Sequence, residues 1–265
     1  MEMIDTVWAT VPDVARATTI AEGVRALQTI GGHIDLPVVG FKDDISSLQT
    51  PRIEDGTPLA DILGWPMEFV DEWEKSSSTF YSGLFRHCRF RILPFPWAAD
   101  ETTPGPLQSR KIRKGFTTQG YHAALVVPVH CPRGRIATVS WWGIAGQGEI
   151  LERIDIHGPA LLAAANYFTA LYMARTAPDA PDDVQALSER EVRCLGMAAN
   201  GLSDTEIARG LDISFHTVRF YIVNAVKKLG ARNRTHCVAL AAQLGLIGPV
   251  DSELPDNEDD LPFTG

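Results

Sequence analysis

The sequence predicts an α+β chain: a sheet covered by helices, followed by an all-α domain of four short helices that contains a helix-turn-helix. Three observations carry this reading. The strand-like runs "LPVVGF", "ALVVPV" and "RIATVSWW" all fall in the first 142 residues, among helical stretches. The segment "RTAPDAPDDVQ", Arg175 to Gln185, has prolines, aspartates and few apolar residues, so it reads as an exposed linker. Beyond it, helix starts capped by serine and helix ends closed by glycine recur at short intervals.

In chain order, Val11 to Ile30 reads as helix and Leu36 to Phe41 as strand, followed by helical stretches from Trp65 to about Glu74 and from Phe80 to Arg89. Strands Ala124 to Val129 and Arg135 to Trp142 are joined through "HCPRGR" as a hairpin, and Pro159 to Arg175 reads as a last helix. In the smaller domain, Ser188 with Glu191 and Ser203 with Glu206 have the spacing of capping boxes. Ser214 caps a helix that ends at Gly230, and a fourth runs from about Asn233 to Leu244. The expected organisation is therefore a domain at 1–175, a linker at 176–186, a helix-turn-helix domain at 187–247 and an acidic, disordered tail at 248–265.

Composition narrows the function. The chain of 265 residues carries a formal net charge of −9, but residues 187–247 hold eight Lys/Arg against five Asp/Glu. Positive charge is thus concentrated in the small helical domain, where phosphate would be met. The four cysteines (Cys88, Cys131, Cys194, Cys237) are scattered without a C-x-x-C pair, which fits a reducing compartment and no metal site. No secretion signal and no membrane-length apolar run is read, so a cytoplasmic location is expected. Residues 1–186 hold no nucleophile elbow, phosphate loop or metal spacing, which argues against an enzyme and gives no cofactor.

The helix "FHTVRFYIVNAVKK" has Val218, Ile222 and Ala225 on a buried stripe, with Arg219, Val223 and Lys227 four apart on the neighbouring surface. A helix pair packed by Ile207, Ala208, Leu211 and Val218 across a three-residue turn has the form of a helix-turn-helix, whose second helix enters the major groove of double-stranded DNA.

The run from Leu187 to Ile247 resembles the DNA-binding domain of LuxR-type regulators over about 60 residues, through "SERE", "A-x-G-x-S-x-x-E-I-A", "IS-x-x-TV", "KLGA-x-NR" and "GLI". The resemblance implies groove contacts from Arg219, Val223 and Asn224. It implies backbone contacts from Ser203, Thr205, Thr217, Tyr221, Lys227, Arg232 and Arg234. Where the family commonly has Lys-x-His after "TV", this chain has Arg219 and Tyr221. The family usually dimerises, so a homodimer on a two-fold related site is expected.

Upstream, "WPMEFVDEW", "LPFPW" and "VVPVHCPRGRIATVSW" resemble the autoinducer-binding domain of quorum-sensing LuxR-type proteins, implying an α/β/α sandwich around a central antiparallel sheet. The ligand positions it implies are Phe69, Trp73, Tyr81, Ser82, Phe85 and Trp97. Three depart from the family pattern: Phe69 replaces a Trp that donates to the lactone carbonyl, Trp73 replaces a Tyr, and Ser82 replaces an Asp that accepts the ligand amide. Exchanging a charged acceptor for a neutral one weakens amide capture about tenfold. The reading is a DNA-binding regulator with an atypical pocket that takes a non-standard small ligand or none. An acyl-homoserine lactone-responsive activator and a ligand-independent regulator acting by heterodimerisation stay open.

Overall fold

A computed structural model describes residues 2–47, 49–65, 70, 83–98, 107–176 and 187–248. The predicted ligand positions Phe69, Trp73, Tyr81 and Ser82 lie outside the described residues, as do most of the helical stretch 65–74, the linker from 177 to 186 and the tail from 249. The chain divides into two compact units between residues 180 and 181.

The first unit is built on a four-stranded antiparallel sheet of order β1-β4-β3-β2, formed by β1 (Val38–Lys42), β2 (Phe95–Ala98), β3 (Ala123–His130) and β4 (Ile136–Gly143). Among the described residues its α-helices are α1 (Glu2–Arg16), α2 (Ile20–His33), α3 (Leu59–Leu63), α4 (Gly83–Cys88), α5 (Leu107–Thr118) and α6 (Gln147–Thr176). One face of the sheet buries Leu125, Val127, Val139 and Trp141 against Val24, Leu27 and Ile30 of α2 and Leu161, Ala164 and Phe168 of α6. The other face gathers Phe95, Ala124, Val126 and Trp142 with Leu84, Phe85 and Cys88 of α4 and Phe116 of α5. The mixed α+β class and the covered antiparallel sheet are as the sequence predicts.

Several elements differ from expectation for identifiable reasons. The single helix expected at Val11 to Ile30 is two helices. Thr19 leaves helical geometry at φ −125°, and its side chain accepts from Glu22 N while Glu22 Oε2 accepts from Thr19 N, a capping box that starts α2. Helix α6 starts twelve residues before Pro159, which sits inside it. Asp155, whose carbonyl loses its helical partner to Pro159, is itself exposed. Strands β1 and β4 lie one or two residues further along than predicted, β3 extends one residue beyond the predicted range at each end, and β2, α3 and α5 were not expected.

The second unit has helices α7 (Glu189–Ala199), α8 (Asp204–Leu211), α9 (Phe215–Lys228) and α10 (Arg234–Gln243) around Cys194, Leu195, Ile207, Val218, Ile222, Ala225, Cys237 and Ala241. Both predicted Ser-x-x-Glu boxes are formed, with Ser188 N donating to Glu191 Oε2 and Ser203 N to Glu206 Oε2, each at 2.6 Å. Among the described residues no helix is long and apolar enough to cross a membrane.

Candidate nucleic-acid interface and ligand cavity

Helix α8 stops because Asp212 adopts left-handed geometry (φ 52°, ψ 50°), a conformation Asp tolerates better than most residues. Two residues later Ser214 caps α9, its Oγ accepting from Thr217 N at 3.1 Å and lying 2.8 Å from Thr217 Oγ1. Burial of Ile207 and Ala208 against Val218 and Ile222 fixes the helix pair and turns the opposite side of α9 outward. That outward face carries Phe215, Arg219, Val223 and Lys227 at successive spacings of four, flanked by His216 and Phe220. The Arg219 guanidinium carbon lies 5.9 Å from the Phe215 ring centroid, a cation–π contact that restricts where the charge can point.

The other predicted DNA residues divide into three groups. Thr205 and Arg232 are exposed, and so is Ser203, whose side chain is engaged in its capping box. Tyr221 and Asn224 are half-buried, and Tyr221 packs against the small core. Arg234 is taken up within the unit: Nη1 bonds Asp204 Oδ1, and Nη2 donates to Leu202 O at 2.8 Å, tying the start of α10 to the start of α8. A phosphate at Arg234 would have to share it with these partners. The exposed rings of Phe215 and Phe220 on the α9 face were missed. The signal for Phe215 was its position one helical turn before Arg219.

Beneath the α9 face, Lys228 Nζ lies 2.8 Å from Glu191 Oε2, joining the last turn of α9 to the first turn of α7. Burial works to raise the Glu191 pKa, but Lys228 and the Ser188 hydrogen bonds outweigh it and hold the carboxyl below its ordinary 4.5.

In the first unit, the second face of the sheet opens on a largely apolar cavity with about 790 Å³ of empty space, part of it continuous with solvent. Phe85 and Trp97 line it, together with Trp65, Phe116, Trp142, Leu59, Leu63 and Leu84. Phe116 stacks flat on Trp142 at 4.0 Å between centroids, and Trp97 meets Trp142 edge-on at 5.5 Å. Trp65 is anchored by a 2.8 Å bond from its Nε1 to Val39 O. The polar side of the cavity was not read from sequence. It includes Ser140, Thr138, Lys42 and Thr50, and the strand register sets Gly40 opposite Ser140 and Lys42 opposite Thr138. Ser140 Oγ accepts from Trp142 Nε1 at 2.8 Å. The same Oγ donates to Gly40 O at 3.4 Å, and a Cβ on Gly40 would lie 2.6 Å from it, so glycine is what makes room for this hydroxyl between the paired strands.

Comparison with known proteins places both units. Residues 185–241 match the model described as bacterial regulatory proteins, luxR family, and residues 41–171 match the autoinducer binding domain. Transcriptional activator protein ExpR of Pectobacterium parmentieri is 32% identical over 174 residues, covering 61% of this chain and 69% of that protein. Transcriptional activator protein ExpR of Dickeya dadantii (strain 3937) is 28% identical over 230 residues, covering 84% and 92%. Among solved structures, SdiA in complex with octanoyl-rac-glycerol has a TM-score of 0.57 at 17% identity, covering 95% of this chain and 99% of that one, which is a likeness of fold.

Proposed function

The chain belongs to the LuxR-type family of quorum-sensing transcription regulators, and from that membership we propose that α9 reads a two-fold related DNA site while the cavity of the first unit takes a small ligand outside the standard acyl-homoserine lactones. The family consists of DNA-binding transcription regulators, not enzymes. The observation that carries the DNA reading is the outward row Phe215, Arg219, Val223 and Lys227 on a helix whose other side is fully committed to the core. In this reading Arg219, Val223 and Asn224 meet base edges. Ser203, Thr205, Thr217, Tyr221, Lys227, Arg232 and Arg234 meet the phosphate backbone. The protein acts as a cytoplasmic homodimer, with residues 1–175 sensing and residues 187–247 binding DNA.

The ligand reading is supported by the character of the cavity, which is largely apolar with a few polar groups at one side. The substitutions at Phe69, Trp73 and Ser82 remove polar anchors for a lactone amide, and SdiA, alike in fold, has been crystallised with an acylglycerol.

The test of the DNA reading is binding of Arg219→Ala and Arg232→Ala to duplexes selected from a random pool and to unselected duplexes, across a salt series. Arg219→Ala is expected to lose about 1–3 kcal/mol on selected DNA and much less on unselected DNA. Arg232→Ala is expected to weaken both alike and to lower the salt slope by about 1. Equal losses of Arg219→Ala on both DNAs would move that residue to the backbone.

A further inference from the structure

Helix α9 places an apolar ring at the centre of its outward face. Phe220 stands two residues from Val218 and two from Ile222, so on a helix it lies about 200° from each, opposite the buried stripe they make. It is 60% exposed, more than Phe215 at 40% or Val223 at 48%. Phe220 and Val223 are three residues apart and so neighbours on the helix surface, an apolar strip rather than two isolated side chains. The Tyr221 ring flanks Phe220 at 5.8 Å between centroids, and Tyr221 itself packs against the core, so the exposed ring is braced.

The charge around the strip identifies what covers it. Helix α9 contains no Asp or Glu, and exposed Arg219 and Lys227 stand beside Phe220 and two turns further along the same face. The Phe215 ring restricts where the Arg219 charge can point. The major groove offers the matching alternation in one surface: phosphates along its walls and, among the base edges on its floor, one apolar group, the 5-methyl of thymine. A phenyl ring captures no phosphate and accepts no base-edge proton, so on this face it suits that methyl group.

We infer that Phe220 is a specificity-determining residue whose ring packs against the 5-methyl group of a thymine in each half-site. This rests on α9 being the helix that enters the major groove, and it adds an apolar contact to the polar ones assigned to Arg219 and Asn224.

The experiment measures binding of the full chain to a duplex selected from a random pool, by fluorescence anisotropy at fixed salt. Each thymine is replaced in turn by deoxyuridine, which removes only the methyl group. For the unaltered protein, one replacement in a half-site is expected to weaken binding about fourfold, the value of one buried methyl-sized group, and replacement in both half-sites about fifteenfold. Phe220→Ala is expected to bind the thymine duplex more weakly and to be indifferent to the same replacement. Val223→Ala and Arg219→Ala are expected to keep its full effect. Phe220 lies away from the core, so Phe220→Ala should leave the thermal transition of the second unit in place; the thymine-to-deoxyuridine ratio of the unaltered protein is in any case read without a variant. A selected site with no thymine common to its halves, no effect of any replacement, or an effect of equal size in Phe220→Ala overturns the assignment and leaves the DNA reading to stand on Arg219. Undiminished binding of the thymine duplex by Phe220→Ala also overturns it and assigns the ring to a protein contact. Selection of no duplex, with no DNA bound at low salt, overturns both.

Discussion

Trp141→Ala is expected to destabilise the first unit by about 3–5 kcal/mol, the cost of emptying a fully buried large aromatic site. Trp141 is 0% exposed, and its Nε1 donates to Leu27 O at 3.0 Å, so the residue fastens α2 to the middle of the sheet by both volume and a hydrogen bond. The helix lies close enough for this because position 31 is glycine: a Cβ there would stand 2.5 Å from Leu36 O and 3.0 Å from Trp141 Cδ1. At about 2–4 °C per kcal/mol for a unit of this size, the transition of the first unit should fall by about 6–20 °C in differential scanning calorimetry. Trp141→Phe keeps most of the volume and loses the donor, so a drop of about 1–2 kcal/mol is expected. Equal drops for the two variants would mean that the hydrogen bond rather than the packing dominates.

This consequence reaches the ligand site because Trp141 and Trp142 are neighbours on one strand that point to opposite faces. Loss of packing at Trp141 disturbs the strand that presents Trp142, Ser140 and Thr138 to the cavity. A destabilised variant that still binds ligand should therefore recover part of its stability when ligand is added, in proportion to ligand excess over Kd.

What the sequence made legible follows the local or non-local character of each signal. The capping boxes at Ser188 and Ser203 are three-residue patterns, and all four helices of the second unit were read within a residue or two. The box at Thr19 and Glu22 is equally local but sits inside a continuous helical pattern, and it was overlooked for that reason. Strand β2 contains Pro96 and follows directly on Pro94, a pattern that gives no strand signal; it exists because an edge strand can spare the N–H that Pro96 lacks. Helix α5, "LQSRKIRKGFTT", has no continuous apolar stripe, and its packing on the sheet shows in the burial of Phe116.

The cavity was half legible for a related reason. Phe85 and Trp97 came from family resemblance, whereas Ser140, Thr138, Gly40 and Lys42 are brought together only by the pairing of β1 with β4, about a hundred residues apart. The polar residues at alternate positions of "RIATVSWW" were a usable clue: Thr138 and Ser140 share a face, and period two puts Trp142 with them.

Lys228→Met is expected to destabilise the second unit by about 2–3 kcal/mol, toward the low end for breaking a buried pair because Lys228 keeps 29% of its side-chain surface in solvent while Glu191 keeps 4%. For a unit of roughly 60 residues this shift corresponds to about 10–20 °C, which is a large part of the stability such a small core supplies. DNA binding should weaken in parallel near physiological temperature, with selected and unselected duplexes affected alike, because the whole interface is lost together. The double variant Glu191→Leu with Lys228→Met removes both charges and should cost only about 1 kcal/mol, the value of the α7 cap that Glu191 also provides. The pair also fixes a pH dependence. The Glu191 carboxyl is held below 4.5 in the folded unit, so its contribution is complete above the unfolded value and is lost as pH falls through the folded one. Chemical denaturation of the second unit between pH 7 and pH 3 should therefore show a steeper acid loss in the unaltered protein than in the double variant. Parallel curves would mean that other carboxylates, not Glu191, set the acid limit of the DNA-binding unit.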